Sequence, residues 1–243
     1  MAAGWQEPFW RDALLDAPLI PGTRWRVHDL ARPQPPVVAP RACQPSSGRR
    51  LGPQDWQGAQ LPLWTFANGE MIPSGQSANR IETKASVADV EVSLEFMMPA
   101  PPAGVFQQRG NSGLFFQQRY EVQILDSHDN PTYPDGQMGA LYGQAPPLAN
   151  ASRPPGQWQC LRVRFRAARF RKDGGLRSPP RATVTLNGVV LQRQQAFLGP
   201  TAFARIGAWE PHATRLPLVL QDHGDAGGRI RFRNIRVRQL GER

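Results

Sequence analysis

The sequence has no apolar run of 18 or more residues, which excludes a conventional membrane-spanning helix. The N-terminal residues 1–8 lack the basic and apolar regions of a secretory signal, so we expect either a cytoplasmic chain or one whose signal has been removed. Only two cysteines are present, Cys43 and Cys160, too few for a disulfide framework or, unaided, for a zinc site. One disulfide is possible, and two buried thiols are the expectation, which leaves the redox compartment open.

Helical patterns are also scarce. The 243 residues include 25 prolines and 23 glycines, about a fifth of the chain against a usual ~12%, which excludes a long-helix bundle. A hydrophobic content of 40% and a charged content of 20% exclude a disordered chain. Single all-β domains commonly reach about 200–250 residues, so the length fits one turn-rich β domain.

Lysine is nearly absent as well, since all but two of the 29 cationic side chains are arginine. The net charge of +10 raises the possibility of nucleic-acid binding. However, Arg162, Arg164 and Arg166 alternate with apolar residues, and residues 229–233 repeat the pattern. Period-2 alternation predicts strands with one solvated face, and no helix-turn-helix, zinc-finger or RNP motif is present. We therefore expect no nucleic-acid or membrane partner, and keep a basic interaction protein as a lesser alternative.

Strand patterns follow one another from about Leu63 to the C-terminus. The Asn187-Gly188 pair predicts a tight hairpin, because a type I′ turn needs positive φ at both positions. Short strands separated by Gly/Pro turns predict an all-β, two-sheet sandwich without a second domain. The predicted strands are 90–96, 113–116, 120–125, 158–167, 182–186, 189–191, 218–221 and 230–240.

Residues 1–62 lack this strand pattern. With five prolines from Pro33 to Pro45, they are predicted to form an irregular, Pro-rich N-terminal arm. We expect the arm to pack on a domain formed by residues 63–243. Its anchors would be its aromatic residues, Trp5, Phe9, Trp10, Trp25 and Trp56.

Polar side chains inside two predicted strands indicate a binding face. Alternation places Glu121 and Gln123 on one face, roughly 7 Å apart, with Asp126 beyond the strand end. Gln221 and His223 likewise share a face. Such a polar sheet face suits a sugar. Considered individually, a glutamate on a strand is more often simply exposed to solvent, and a single histidine usually has no functional role.

A series of ordered motifs resembles the 3-keto-disaccharide hydrolase family, also known as domain of unknown function 1080. The resemblance covers roughly residues 63–240, and residues 22–29 look like a subfamily feature. The motifs are Gly110–Phe116, Tyr120–Asp126, Gly139–Tyr142, Pro155–Trp158, Leu186–Gly188, Leu220–Gly224 and Phe232–Ile235.

The resemblance implies a concanavalin A-like jelly roll of the lectin/glucanase type and cleavage of glycosides already oxidised to a ketone at C3. A C3 carbonyl acidifies the hydrogen on C2, so that the group on C1 can leave by β-elimination and water can add afterwards. This chemistry needs a base, a stabiliser for the enolate oxygen and an acid for the leaving group.

The same resemblance suggests roles for matching residues. His223 is the favoured base and Glu121 the second candidate, and Asp126 could join them as ligands of a divalent cation. Tyr142 could be the leaving-group acid or a stacking platform. The expected substrate-binding residues are Arg109, Asn111, Gln123, Tyr142 and Gln221.

Several alternatives remain at this stage. A carbohydrate-binding module would use the same fold without a base, and Asn111 could be a simple turn residue. Family members are often exported, although this chain shows no signal. Residues 130–137 and 143–155 are expected to form lid-like loops, and 169–180 a basic surface hairpin. The sequence does not determine the aglycone or the anomer of the substrate. It also leaves open the choice between elimination and hydrolysis, and the oligomeric state.

Overall fold

The computed structural model describes residues 16–44, 46–224 and 229–241, and within them the chain is almost entirely β-structure. None of the helices in these ranges is long and apolar enough to cross a membrane. The elements are β1 (Arg49–Arg50), η1 (Pro53–Asp55), β2 (Trp56–Gln57), η2 (Leu61–Leu63), β3 (Trp64–Ala67), β4 (Glu70–Pro73), β5 (Asn79–Val87), β6 (Val90–Met97), η3 (Phe106–Gln108), β7 (Asn111–Phe116), β8 (Tyr120–Leu125), η4 (Pro134–Gly136), β9 (Trp158–Arg166), β10 (Arg169–Phe170), β11 (Leu176–Ser178), β12 (Arg181–Leu186), β13 (Val189–Ala196), β14 (Thr201–Ala202), β15 (Arg205–Ile206), β16 (Leu216–Asp222) and β17 (Arg231–Gln239), where η denotes a 3-10 helix.

Two antiparallel sheets form the sandwich that the strand pattern predicts. The larger has the order β13-β12-β9-β6-β17-β4-β3, with β1 also paired to β17, and the smaller has the order β2-β5-β16-β7-β8. Two short hairpins, β10-β11 and β14-β15, lie outside them, the first inside the predicted surface hairpin. The predicted β12-β13 hairpin is confirmed, with φ of 47° at Asn187 and 72° at Gly188.

The hydrophobic core lies between these two sheets. The alternation in β8 is confirmed, because Tyr120, Val122 and Ile124 are all fully buried there. Phe116 of the smaller sheet stacks on Phe165 of the larger, with 4.4 Å between ring centroids. Burying a large apolar side chain stabilises the folded state by about 1.5–3 kcal/mol, so side chains such as these hold the two sheets together.

The outer face of the larger sheet carries the alternating arginines, several of which pair with an acid on or next to a neighbouring strand. Glu91 accepts from Arg164 at 3.0 Å and from Arg238 at 3.1 Å. Asp89 accepts from Arg166 at 2.7 Å. The period-2 arginines of β9 and β17 therefore form cross-strand ion pairs on a solvated sheet face.

The N-terminal arm departs from its predicted form in two ways. β1 and β2 lie inside the predicted arm but pair with β17 and β5, so the sandwich begins before Leu63. The two cysteines, expected to be buried thiols, are instead joined by a disulfide between Cys43 and Cys160. Of the expected aromatic anchors, Trp56 is in the core, whereas Trp5, Phe9 and Trp10 lie outside the described residues.

Candidate active site

Glu121 lies on the face of β8 opposite the core. Its side chain is nevertheless only 6% exposed. Residues 139–142 run along the edge of β8: the Gln123 amide donates to Ala140 O at 3.0 Å, and the Tyr142 amide to Glu121 O at 3.3 Å. The Gly139–Tyr142 motif therefore places Tyr142 alongside Glu121.

A glycine on the neighbouring strand makes room for the Glu121 carboxyl. Gly113 of β7 pairs with Gln123. A Cβ at position 113 would lie 2.4 Å from Oε1 of Glu121, far inside van der Waals contact. The Gly110–Phe116 motif thus keeps Gly113 where the carboxyl folds back over the sheet.

Burial raises the pKa of Glu121 to about 8, because the ionised carboxylate would lose its hydration there. The nearest polar neighbour is the side-chain amide of Gln123. In one orientation its oxygen lies 3.1 Å from Glu121 Oε1, which suits a protonated carboxyl, while its nitrogen donates to Gln107 Oε1 at 3.0 Å. In the reverse orientation the nitrogen donates to an ionised Glu121 and to Ser112 O. In the first orientation the Gln123 oxygen also faces Ser112 O, which is itself an acceptor, so the reverse orientation satisfies more of these contacts.

Two tyrosines interact electrostatically with the carboxyl. The hydroxyls of Tyr133 and Tyr142 are 2.8 Å apart, and Tyr142 is partly exposed whereas Tyr133 is buried. Burial raises the pKa of both phenols well above the ordinary value, and the charges of Glu121 and Asp135 act in the same direction. Both hydroxyls therefore keep their protons at neutral pH. One proton is used in the bond between them, which leaves the other hydroxyl able to donate to an oxyanion.

The expected substrate-binding residues Asn111 and Gln123 come together with Gln107. Asn111 begins β7 and is buried rather than placed in a turn, with its Nδ2 donating to Gln107 O at 2.8 Å. Its Oδ1 lies 3.3 Å from Gln123 Nε2. Gln107 was not anticipated from the sequence. Its amide donates to Thr132 Oγ1 and to Gly136 O, and so joins the polar face to the predicted loop.

Asp126 and Arg109 form an ion pair beside this face. Arg109 Nε donates to Asp126 Oδ2 at 2.6 Å, and its Nη2 donates to His128 O at 2.6 Å. Burial raises the pKa of Asp126, although the Arg109 guanidinium opposes that shift. These contacts hold the turn after β8.

Gln221 lies level with Gly113, because Val219 pairs with Phe115 and Leu220 with Leu114, and Ser112 Oγ donates to the backbone oxygen of Gln221 at 2.6 Å. His223 lies further along the same face. Val219 of β16 pairs with Phe115, which pairs with Glu121. His223 is four residues beyond Val219, roughly 13 Å along the strand direction, and is exposed just past the end of β16. The structure therefore does not bring His223 next to Glu121, because the pairing of β16 with β7 sets them at opposite ends of the face.

The tentative metal ligands Glu121, Asp126 and His223 are not assembled either. In the parts of the chain that the structure describes, no group of three His, Cys, Asp or Glu side chains could hold a metal ion. Asp126 is engaged by Arg109, and His223 is at the far end of β16. These residues do not fit a divalent cation site.

Two residues that the sequence did not single out complete the buried cluster. His28, on the arm, is 1% exposed, and its backbone amide donates to Asp135 Oδ2 at 2.9 Å. Its Nδ1 lies 3.2 Å from Asp135 Oδ1. The imidazole stacks on Tyr133 with 4.0 Å between centroids and meets Tyr142 at 4.9 Å. The only sequence signals were the segment 22–29 and the predicted loop 130–137, neither of which indicates a contact between the two.

An exposed aromatic ring borders the same cluster. Phe203, in the turn of the β14-β15 hairpin, is 50% exposed, and its ring centroid is 5.6 Å from that of His28. The hairpin is attached at the site, because the Glu121 amide donates to Thr201 Oγ1 at 3.0 Å. This ring is the apolar rim of an otherwise polar site.

Comparison with known proteins agrees with this fold. The profile of the 3-keto-alpha-glucoside-1,2-lyase-like domain matches residues 48–238. A candidate glycosyl hydrolase of known structure from Parabacteroides distasonis ATCC 8503 is 36% identical, with a TM-score of 0.76 over 90% of this chain and 99% of that one. A second from the same organism is 22% identical, with a TM-score of 0.51 over 76% of this chain and 99% of its own, and supports the fold alone.

Among curated proteins, none matches the sequence. The profile nevertheless covers most of the chain and includes both sheets of the sandwich together with Glu121, Tyr133 and Tyr142. The chain belongs to the 3-keto-alpha-glucoside-1,2-lyase-like family, a carbohydrate-active family, and has the all-β jelly-roll sandwich of the concanavalin A-like lectin/glucanase type.

Proposed function

We propose that this protein cleaves the bond between C1 and the leaving oxygen of 3-keto-glycosides, by removal of the C2 proton and β-elimination, with Glu121 as the acid that protonates the departing oxygen. The observation that carries this proposal is the buried carboxyl of Glu121 on a polar sheet face, within electrostatic reach of the partly exposed residue Tyr142. The family description, which names a 1,2-lyase acting on 3-keto-alpha-glucosides, supports the same reaction class.

The surroundings of Glu121 support the acid role. A carboxyl with a pKa of about 8 still holds its proton at neutral pH, when an exposed glutamate is ionised. An alkoxide or sugar leaving group needs that proton, because its conjugate acid is very weak. A carboxyl kept protonated by burial is a known solution to this need.

The enolate formed at C3 needs hydrogen-bond donors. Tyr142 supplies a hydroxyl whose pKa is raised by burial, and Tyr133 supports it through a 2.8 Å hydrogen bond. The side-chain amides of Gln123 and Asn111 are further donors on the same face. Pre-aimed donors of this kind lower the barrier to forming an oxyanion.

The test is turnover of a nitrophenyl 3-keto-glucoside and a methyl 3-keto-glucoside by the purified protein, with the unoxidised nitrophenyl glucoside as control. We expect release from both keto sugars and none from the control. Release from the unoxidised glucoside at a similar rate would point to ordinary glycoside hydrolysis and contradict the proposal. Sugar binding without any release would support the alternative of a non-catalytic carbohydrate-binding module.

A further inference from the structure

We propose that the arm residue His28, oriented by Asp135, is the base that removes the proton from C2. This inference rests on the proposed function and assigns its second proton-transfer group. His28 precedes residue 48, where the family match begins, so the residue is supplied from outside the matched domain.

Asp135 determines which nitrogen of the imidazole is available. Its carboxylate accepts from the His28 backbone amide through Oδ2 and faces His28 Nδ1 with Oδ1 at 3.2 Å. An imidazole facing a carboxylate through Nδ1 carries its proton there, which leaves the lone pair on Nε2. The same division of roles between carboxylate and imidazole operates in hydrolase triads.

His28 Nε2 is buried and has no hydrogen-bond partner among the described residues. A buried polar atom without a partner costs about 1–3 kcal/mol, so its presence calls for an explanation. Two further unpartnered buried atoms occur at the same contact between arm and loop, Nη1 of Arg32 and Oε1 of Gln137. Arg32 interacts electrostatically with Asp135, and Gln137 is hydrogen-bonded to Gln34 of the arm. All three unpartnered atoms belong to the contact between the arm and the loop that carries Asp135.

The acid and the proposed base have Tyr142 as a common neighbour. The ring of Tyr142 contacts the imidazole at 4.9 Å, and its phenol is close enough to Glu121 for the carboxylate charge to raise its pKa. Tyr142 and Phe203 are the partly exposed rings against His28, so a sugar reaching Tyr142 also approaches the imidazole. Tyr142 therefore links the two proposed proton-transfer groups.

The backbone at His28 is consistent with a functional constraint. Its φ is 61°, in the left-handed region that non-glycine residues adopt rarely. Such conformations cost on the order of 1–3 kcal/mol and concentrate at functional sites. Here the left-handed turn aims both the amide and the ring of His28 at Asp135.

The proposed reaction balances without an added reagent. The C2–H bond breaks, its proton goes to His28 Nε2, and its electron pair forms the enolate with the C3 carbonyl. The enolate collapses to restore the C3 carbonyl and form the C1–C2 double bond as the C1–O bond breaks. The departing oxygen takes the proton of Glu121. The products are an alcohol and an unsaturated 3-keto sugar, to which water can add.

The experiment uses H28G, because glycine accepts a φ of 61° and removes only the imidazole. We expect kcat on the nitrophenyl 3-keto-glucoside to fall at least about 100-fold, the usual contribution of a general base. Free imidazole should restore part of the rate, and D135N should lower kcat by a comparable factor. H128A is the matched control, since His128 forms another imidazole–carboxylate pair, with Asp129 at 3.5 Å.

A second readout separates deprotonation from cleavage. In D₂O, E121Q should exchange the C2 hydrogen of the methyl 3-keto-glucoside without releasing methanol, and E121Q combined with H28G should not exchange it. Exchange or turnover within about threefold of the parent after H28G would overturn the assignment while leaving the proposed function intact. A wild-type protein inert on every keto sugar would instead overturn the proposed function, and this assignment with it.

Discussion

Cys43, in the segment before β1, is joined by a disulfide to Cys160 of β9, 117 positions further along the chain. The bond fastens the arm to the larger sheet close to the β12-β13 hairpin, where the Arg41 amide also donates to Asn187 O at 2.8 Å. His28 and Arg32 lie on the same arm. The disulfide therefore holds the segment that delivers His28 to the site.

Reduction of this disulfide should destabilise the protein. In the chain-entropy account, a cross-link over more than 100 residues contributes about 4–5 kcal/mol, which corresponds to a fall in Tm on the order of 10 °C for a domain of this size. Thermal unfolding with and without reductant measures the effect. Since the chain has no other cysteines, the C43S/C160S variant should have the Tm of the reduced wild-type protein, and reductant should not change it. Equal Tm values for the oxidised and reduced protein would contradict the prediction.

The acid role of Glu121 predicts a dependence on the leaving group. E121Q should lower kcat/KM for the methyl 3-keto-glucoside by at least about 100-fold, because methoxide needs a proton, and should affect the nitrophenyl substrate far less. For the wild type, kcat/KM on the methyl substrate should fall as pH rises through about 8, where Glu121 loses its proton. Equal losses on the two substrates would argue against Glu121 as the acid.

Glu121 should also make stability depend on pH. Its pKa in the folded state, about 8, lies above the ordinary 4.5, so the folded state retains a proton that the unfolded chain has released. This contribution is fully present below about pH 4.5 and is lost as pH rises through 8, with a limiting slope of about 1.4 kcal/mol per pH unit. Urea unfolding at pH 5, 6.5 and 8 measures the free energy of unfolding of both proteins. As pH rises, the stability of E121Q should increase relative to that of the wild type. The exposed Glu210 provides the control, and E210Q should run parallel to the wild type.

The space at Gly113 can be tested by adding one methyl group. In G113A the new Cβ would meet Glu121 Oε1 at 2.4 Å and Phe115 Cε2 at 2.8 Å, so the carboxyl must leave its position. We expect kcat on the methyl 3-keto-glucoside to fall at least about tenfold, on the premise that misplacing a reacting group is costly. G175A, in the exposed turn between β10 and β11, is the control and should retain wild-type kcat. Full activity of G113A would show that the position of the carboxyl is not critical.

Phe203 should contribute to binding without taking part in the chemistry. Its exposed ring borders the site, and an aromatic contact of this kind is worth about 0.5–1.5 kcal/mol. F203A should therefore raise KM by roughly two- to tenfold and leave kcat nearly unchanged. L148A removes another exposed apolar side chain, 54% exposed and on a different loop, and should leave both constants alone. An unchanged KM in F203A would exclude sugar stacking on this ring.

Much of the architecture could be predicted because it depends on short-range sequence patterns. Period-2 alternation identifies β6, β8, β9 and β17, and the Asn187-Gly188 pair identifies the β12-β13 hairpin. The same alternation separates the core face of β8 from the face that carries Glu121. β1 and β2 were missed because two-residue strands have no period, and they exist only through their partners β17 and β5.

The composition of the site depends on distances that the sequence does not contain. The alternation in β8 and β16 correctly places Glu121 and Gln221 on faces that point away from the core. Alternation does not determine how the strands are aligned along their length. The register of β16 on β7 puts His223 far from Glu121. Carboxylate and imidazole types alone suggested a metal set, whereas the fold gives Asp126 to Arg109 instead.

The sequence by itself determined the fold class and the family, and it made Glu121 one of the candidate residues, because alternation, turn residues and ordered motifs are local properties of the chain. Only the tertiary structure decided what surrounds that carboxyl. The contact of His28 with Asp135 joins residues 107 positions apart, and the disulfide that holds the arm joins residues 117 apart. No local pattern encodes such pairs, since they result from an irregular arm packing on a loop that both sheets have already positioned.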